Sequence, residues 1–326
     1  MPANFQTELY TKEYEAQCEI LSQAHSIFNG LIDDKGTRTG EEAYFNQSHS
    51  WDMTFGRARN SDTQYLDPQY TRRRITPEIA TAAVPLDKID TVRSLVNPQS
   101  VIARNGYYAA GRAKDKIIWN GMFGTAYTGK GGTTAVNFST DQIVDVQVGG
   151  SAADTGLNIT KLLKAIQMLE DQNIDVTDPM NELSLIYAPQ QKNDLMSIAN
   201  LQSFDYMGGK ALVTGRFDGL LGIPNIRRST MVPYCNAAET GADVDLDGVN
   251  AAWGANGNAN DIAGNSNRAV ILMCRSAVSW ASWANLRVET AELPEKNYLW
   301  QLWLEFQGGA ARMEETKLVL IECNEE

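Results

Sequence analysis

Residues 62–124 read DTQYLDPQYTRRRITPEIATAAVPLDKIDTVRSLVNPQSVIARNGYYAAGRAKDKIIWNGMFG, and the change of character inside this stretch decides the fold class. Its first half is polar with scattered aromatics. It contains the run Arg72-Arg73-Arg74-Ile75-Thr76 and then Ile79 to Leu86. The same character begins at residue 41, with Tyr44, Phe45, Trp51, Phe55, Tyr65 and Tyr70 set among polar neighbours. Extended strands joined by a long exposed loop are expected here, because so long a segment with little helix or compact core is unusual inside a globular domain. The second half is a helix. Asn97-Pro98 opens it, with Asn as the cap and Pro in the first turn, and it runs to about Phe123. Ile102, Tyr108, Ala109, Ala113, Ile117 and Met122 can share one face, with Arg104, Arg112 and Lys116 outside it. Gly106 and Gly111 each weaken it by about 1 kcal/mol relative to Ala. Gly124 and the Gly129–Gly132 cluster end it. An exposed arm feeding a long helix is thus the centre of the chain.

Upstream, residues 9–32 carry Leu9, Cys18, Leu21, Ile27, Phe28 and Leu31 at roughly helical spacing, which predicts an amphipathic helix that must dock on a body or a neighbouring chain. Downstream, Asn158 caps a helix to about Gln172 whose apolar face is Leu162, Leu163, Ile166 and Leu169. Leu183–Ala188 (LSLIYA) reads as a short buried strand stopped by Pro189, and Gln190–Ser197 as another helix. This order suggests a mixed α/β unit. Residues 236–267 are rich in Gly, Ala, Asn and Asp and read as a surface loop or insertion. Ala269–Cys274 (AVILMC) is a buried strand. Trp300, Leu302, Leu304 and Phe306 alternate, Gly308-Gly309 is expected to turn, and Lys317–Cys323 (KLVLIEC) is a final strand, so the chain should end in a hairpin-like β element.

The composition narrows the function classes. At 326 residues and 43% hydrophobic content the chain can bury a substantial core. Forty acidic against 28 basic residues leave a net charge of −12, which disfavours broad nonspecific binding to phosphate-rich nucleic acid. The four cysteines, Cys18, Cys235, Cys274 and Cys323, have no CxxC spacing and form no disulfide framework. Met1 to Tyr14 has no apolar signal-peptide region, and no run of 18 apolar residues exists. A soluble chain made in a cytoplasm, with no membrane partner, is expected.

Chemical motifs are weak. Gly124 to Lys130 matches GxxxxGK, but Gly131 follows where a phosphate loop needs Ser or Thr for its magnesium ion, and the strand-before, helix-after context is reversed. Asp243, Asp245 and Asp247, followed by Gly248, have the DxDxDG opening of a calcium loop. The twelfth position is Gly254, not the bidentate glutamate such a loop requires. These aspartates are a weak metal candidate, and a solvated acidic turn is the alternative. His25 and His49 lie in segments without a compact core, and neither HExxH nor GxSxG occurs. No catalytic residue and no cofactor is expected. Trp51 in the polar arm and the Arg72, Arg73, Arg74 run are candidates for contacts between subunits, since aromatics on an exposed arm favour burial at an interface.

The order of docking helix, extended arm, long helix, compact α/β unit and returning β element resembles the major capsid proteins of tailed phages of the Hong Kong ninety-seven type. FQTELYTKEYEAQCEILSQAHSIFNGLI (Phe5–Ile32) is similar to the family's N-terminal arm, and Asp62–Gly124 to its extended loop leading into the spine helix. LNITKLLKAIQMLEDQNID, then LSLIYAPQQKNDLM and FDGLLGIPNI, resemble its axial domain. The resemblance implies an α+β phage major capsid fold: an N-arm over 1–38, an extended β-loop over 39–90, a peripheral domain with the spine helix over 91–154, an axial domain over 155–283 and peripheral C-terminal strands over 284–326. It also implies a non-enzymatic shell subunit that forms hexamers and pentamers, encloses double-stranded DNA without specific binding, and assembles in the host cytoplasm into the virion. Its expected partners are a separate scaffolding protein, a portal, and decoration or cement proteins. Three rival readings are an encapsulin-like nanocompartment shell, an α/β enzyme using Lys130 or an acidic pair, and a decoration or tail-tube protein.

Overall fold

The computed structural model describes residues 26–53, 55–56, 59–63, 65–86, 98–150, 153–175, 178–198, 220–235 and 267–325. The first elements in chain order are β1 (Asp33–Thr37), β2 (Ala43–Ser48), β3 (Tyr70–Ile75), β4 (Glu78–Leu86), α1 (Pro98–Phe123), β5 (Ala126–Thr128), β6 (Thr134–Val136) and β7 (Ile143–Val144). There follow α2 (Ile159–Glu170), β8 (Leu183–Tyr187), α3 (Pro189–Ser197), β9 (Asn225–Arg228), β10 (Tyr234–Cys235), β11 (Asn267–Cys274), β12 (Val278–Leu293), β13 (Leu299–Arg312) and β14 (Leu318–Asn324). These elements fall into two compact units. The smaller draws on Ile79–Ala113 and Asn285–Phe306, and the larger on Ser26–Glu78, Lys114–Ala284 and Gln307–Glu326.

The core of the larger unit is a six-stranded sheet in the order β7-β14-β11-β8-β9, with β10 also paired to β11. Every residue of β8 and of β11 is buried, as continuous apolar runs such as LSLIY and AVILMC require. β11 is antiparallel to β14 from Asn267↔Asn324 to Met273↔Leu318 and antiparallel to β8 on its other side. Helix α2 lays Leu162, Ala165 and Leu169 on this sheet, against Val144, Leu185, Val270 and Ile321. Its N-cap is Asn158, whose side-chain oxygen accepts the Lys161 N–H at 2.8 Å. Leu163, expected on the apolar face, is half exposed, while Lys161 is fully buried. The Lys161 ammonium donates to the carbonyls of Thr155 (2.6 Å) and Glu322 (2.8 Å), and burial pushes its pKa down. A helical face that admits Lys161 and Ala165 in place of Leu163 ties α2 to the strand after the sheet's last turn.

Three expectations are corrected here. Residues 26–32 form turns rather than the end of a helix, with the Leu31 N–H bonded to the Phe28 carbonyl at 3.0 Å; residues 1–25 of that expected helix lie outside the described residues. Gly308-Gly309 does not turn. β13 runs straight through to Arg312 because a Cβ at 308 would collide with the Trp280 ring and one at 309 with the Thr76 carbonyl. The glycines serve close approach, not a bend. Finally, β14 does not fold back on β13 but pairs with β11. The hairpin is instead β12–β13, turned by Asn297 and Tyr298, both at positive φ (53° and 55°). The expected loop at 236–267 lies outside the described residues up to Asn267, which opens β11.

In the smaller unit β4 flanks β13, β12 flanks it on the other side, and the first half of α1 packs on them so closely that a Cβ on Gly106 would meet the Leu304 side chain. Gly106, a helix weakness by propensity, leaves the space that the tip of the Leu304 side chain occupies. In the larger unit the second half of α1 supplies Trp119, which meets Phe28 edge-on at 5.2 Å and stacks on Phe123 at 6.0 Å. Asp115 reaches from this half to the 26–28 turn, accepting from Ser26 Oγ (2.5 Å) and the Ile27 N–H (3.0 Å). No helix among the described residues is long and apolar enough to cross a membrane.

Candidate functional site: the arginine strand and the exposed loop

β2 and β3 are antiparallel from Ala43↔Ile75 to Ser48↔Tyr70, and β5 and β6 extend the ribbon into a four-stranded sheet, order β2-β3-β5-β6. Strand alternation sorts the three arginines. Arg73 and Ile75 point inward and are buried, while Arg72 faces solvent. Arg73 Nη2 donates to both carboxylate oxygens of Glu315 (2.8 and 2.6 Å) and its Nε to the Met313 carbonyl at 3.1 Å. Glu315 also pairs with Arg312 at 3.4 Å.

Arg312 is fully buried at the end of β13. Its guanidinium donates to the carbonyls of Met122, Gly124 (3.3 Å) and Val136 (3.1 Å) and lies 5.3 Å from the Phe138 ring centroid. Burial lowers its pKa, and the Glu315 carboxylate works against that shift. Two guanidinium groups therefore share one carboxylate, and backbone carbonyls supply further acceptors, while Arg73 Nη1 is buried without a hydrogen-bond partner among the described residues. Sequence reasoning passed over Arg312 and Glu315. The only signal was a lone arginine closing an alternating apolar strand.

Arg74 is also engaged within the chain, 3.1 Å from Glu42 and 4.5 Å from the Tyr127 ring centroid, with the Tyr44 hydroxyl donating to Glu42 at 2.6 Å. Arg72 remains at the surface, its Nε donating to Asn46 Oδ1 at 2.8 Å. With Asn46, Tyr70, Thr128 and Lys130 it lines an open hollow of about 660 Å³. Lys130 sits exposed on the tight turn between β5 and β6, with Gly129 at φ 95°. Strands stand on both sides of this turn, so the helix that must follow a phosphate loop is missing.

Between β2 and β3 the chain loops out. Trp51 is 60% exposed, Phe55 93% and Tyr65 92%, and Met53, Leu66 and Tyr70 are exposed as well. The structure thus brings Arg72, Arg73 and Arg74 onto one strand but turns two of them to internal duties, and it leaves Trp51 in the loop. His49 opens that loop, its N–H bonded to the Gln69 carbonyl at 2.9 Å. Asp243, Asp245, Asp247 and His25 lie outside the described residues. Among the described residues no group of three or more His, Cys, Asp or Glu could hold a metal ion. Cys274 and Cys323 are buried free thiols, pushed up by burial to about 11 and about 12, which makes them poor nucleophiles.

The profile of the family described as "Phage capsid protein" matches residues 7–325. A search of curated proteins returns no match. Among solved structures, the chain resembles a capsid structure of the cyanophage P-SCSP1u, at TM-score 0.69 and 15% identity over 97% of this chain and 93% of that one. It also resembles the capsid of Ralstonia phage GP4, at TM-score 0.66 and 13% identity over 100% and 98%. A structure from Mycobacterium phage Che8 matches at TM-score 0.64 and 14% identity over 96% and 97%.

Proposed function

This chain belongs to the phage capsid protein family, and on that premise we propose that it is the major shell subunit of a tailed phage's head. Hexamers and pentamers of the chain close an icosahedral shell around double-stranded DNA, and the work is assembly rather than catalysis. The chain-long family match over residues 7–325 carries the reading. It favours a phage capsid over an encapsulin-like compartment. In this reading 1–38 is the N-arm, 39–90 the extended loop, 91–154 and 284–326 the peripheral domain and 155–283 the axial domain, with β14 returning into the axial sheet. Trp51 and Arg72 are the contact residues that reach a neighbour, while Arg73 and Arg74 hold the base of the loop in place. The net charge of −12 suits a wall that must not grip the DNA inside it. A separate scaffolding protein, a portal and cement proteins complete the head, which assembles in the host cytoplasm.

Many modest contacts, each reversible, make a closed shell strong. Negative-stain electron microscopy of the chain, expressed alone and with its neighbouring genes, tests this. Closed particles tens of nanometres across are expected. A monodisperse small species under both conditions overturns the reading.

A further inference from the structure

The stretch 236–266, set apart by its composition, has no part in the reading above. It leaves the larger unit after Cys235 and returns at Asn267. Its two ends are paired: Tyr234↔Arg268 and Cys235↔Asn267 are antiparallel partners, and the Ala269 N–H bonds to the Pro233 carbonyl at 3.0 Å. So short a ladder is weak on its own, and closing a connection this long costs more chain entropy than closing a tight turn. Side chains supply what the ladder lacks. Arg268 is 5% exposed; its Nη1 donates to the Val232 carbonyl at 2.6 Å, and its guanidinium lies 3.7 Å from the Tyr234 ring centroid. Its charge is met by Glu325, which lies just past β14. Glu325 Oε2 is 2.9 Å from Arg268 Nε and accepts from the Tyr234 hydroxyl at 3.1 Å, while Oε1 accepts from Gln191 Nε2 at 3.1 Å. Gln191 is fully buried on α3, the helix whose Leu195 packs into the core of the sheet. One carboxylate thus touches both ends of the connection and a helix anchored in the core.

We propose that Glu325 is the latch of this root: it clasps the strand that leaves the sheet and the strand that returns to it, so that their register holds independently of residues 236–266. Each partner has its own task. Gln191 fixes the carboxylate from the helix side. Arg268 supplies the opposite charge on the returning strand, and the Tyr234 hydroxyl ties the departing strand to the same carboxylate. A register slip at the root would carry Arg268 away from Glu325, and a buried guanidinium without its counter-ion is strongly unfavourable. The consequence is separability. Residues 236–266 can change in length and composition, and present whatever they carry, from two fixed points on the larger unit. The inference goes beyond the capsid reading and does not depend on it, because every group in the latch belongs to one compact unit of one chain.

Amide hydrogen exchange on the full chain tests it. Glu325→Gln keeps the size of the side chain and removes its charge. Exchange at the root, read at Ala269 and in residues 232–235, is expected to rise about tenfold or more, while residues 183–187 of β8 stay as slow as in the native chain. An unchanged rate at the root overturns the proposal. So does an equal rise across β8, which would make Glu325 a support of the whole sheet rather than of the root. Replacing 236–266 with Asn-Gly, a tight hairpin turn, gives the converse. With Glu325 in place, the Ala269 amide should exchange as slowly as in the native chain. Fast exchange there would show that the segment itself holds the root, and overturns the latch. Where Glu325→Gln does not fold, Tyr234→Phe removes one hydroxyl from the latch and should speed exchange at Ala269 roughly threefold or more; no change at that amide overturns the proposal.

Discussion

In β11 all eight residues from Asn267 to Cys274 are buried, whereas in the loop between β2 and β3 Trp51, Phe55 and Tyr65 stand in solvent. Both segments are rich in large apolar side chains, so composition does not separate them. Their partners do. β11 finds β8, β14 and β10 within the chain, and its side chains meet α2. The loop's Trp51, Phe55 and Tyr65 are 60%, 93% and 92% exposed. Burying a side chain of that size is worth roughly 1.5–3 kcal/mol, and the loop leaves that energy unspent in the isolated subunit. One region makes the subunit and the other is available to make the assembly. Substitutions in the two should therefore separate cleanly, the first showing in unfolding of the subunit and the second in dissociation of particles.

The largest effect is expected at Arg312. Arg312→Ala leaves Glu315 with a weaker set of partners and leaves the carbonyls of Met122, Gly124 and Val136 without their buried donor. Breaking a buried charge network by removing one member costs about 3–5 kcal/mol. Urea unfolding of the isolated subunit measures it. A cost below about 1 kcal/mol would mean that water replaces the guanidinium, and that the junction of β13 with the end of α1 belongs with the tolerant surface rather than the interior.

How far these regions were legible in the sequence depends on what each element shows to solvent. β8, β11, β14, α1 and α2 were readable because their burial is continuous or periodic. β12 was not anticipated: beyond Ala284 most of VSWASWANLRVETAEL is exposed, so no two-residue alternation marks it. Gly308-Gly309 was misread because glycine signals both turns and close contacts, and only the Trp280 ring and the Thr76 carbonyl decide between them. The arginine run looked like one cluster. The two-residue strand period already separates Arg73 from Arg72 and Arg74, but the acceptors that make Arg73 internal come from Met313 and Glu315, some 240 positions away. The exposed aromatics of the loop were the most readable part of the candidate site, because an aromatic in a polar, coreless segment has nowhere local to go.

A smaller effect is expected at Asp115, which ties the 26–28 turn to α1. Burial raises its pKa to about 6, against the hydrogen bonds from Ser26 and the Ile27 amide. In the unfolded chain the carboxyl titrates near 3.9. Its folded pKa is therefore the higher one, so the stability linked to its proton is fully present below about pH 4 and is lost as pH rises through about 6, at most about 3 kcal/mol. Asp115→Asn keeps both contacts, with the amide oxygen accepting from Ile27 and the amide nitrogen donating to Ser26, and it removes the titration. Other buried carboxyls, among them Glu322 and Asp194, are also raised, so the quantity to measure is the difference between the two proteins. Relative to Asp115→Asn, the native chain should lose stability between pH 4 and pH 7. A difference that stays constant over that range would show that the 26–28 turn is held by Phe28 packing alone.

The smallest effect on the subunit, and the sharpest on the comparison, is expected at Trp51. At 60% exposure, Trp51→Phe should change subunit stability by no more than about 0.5 kcal/mol. The remaining tryptophans contribute to fluorescence in both proteins, so subtracting the variant's emission from that of the native chain isolates Trp51. In the free subunit the difference spectrum should be that of an indole in water. In assembled particles the proposed contact should shift it to the blue, because an indole packed against a neighbour leaves water. A difference spectrum that stays red in intact particles would place Trp51 outside any interface. The loop's exposed aromatics would then divide into those that build contacts and one that does not, and the contrast with β11 would narrow to the residues that still change on assembly.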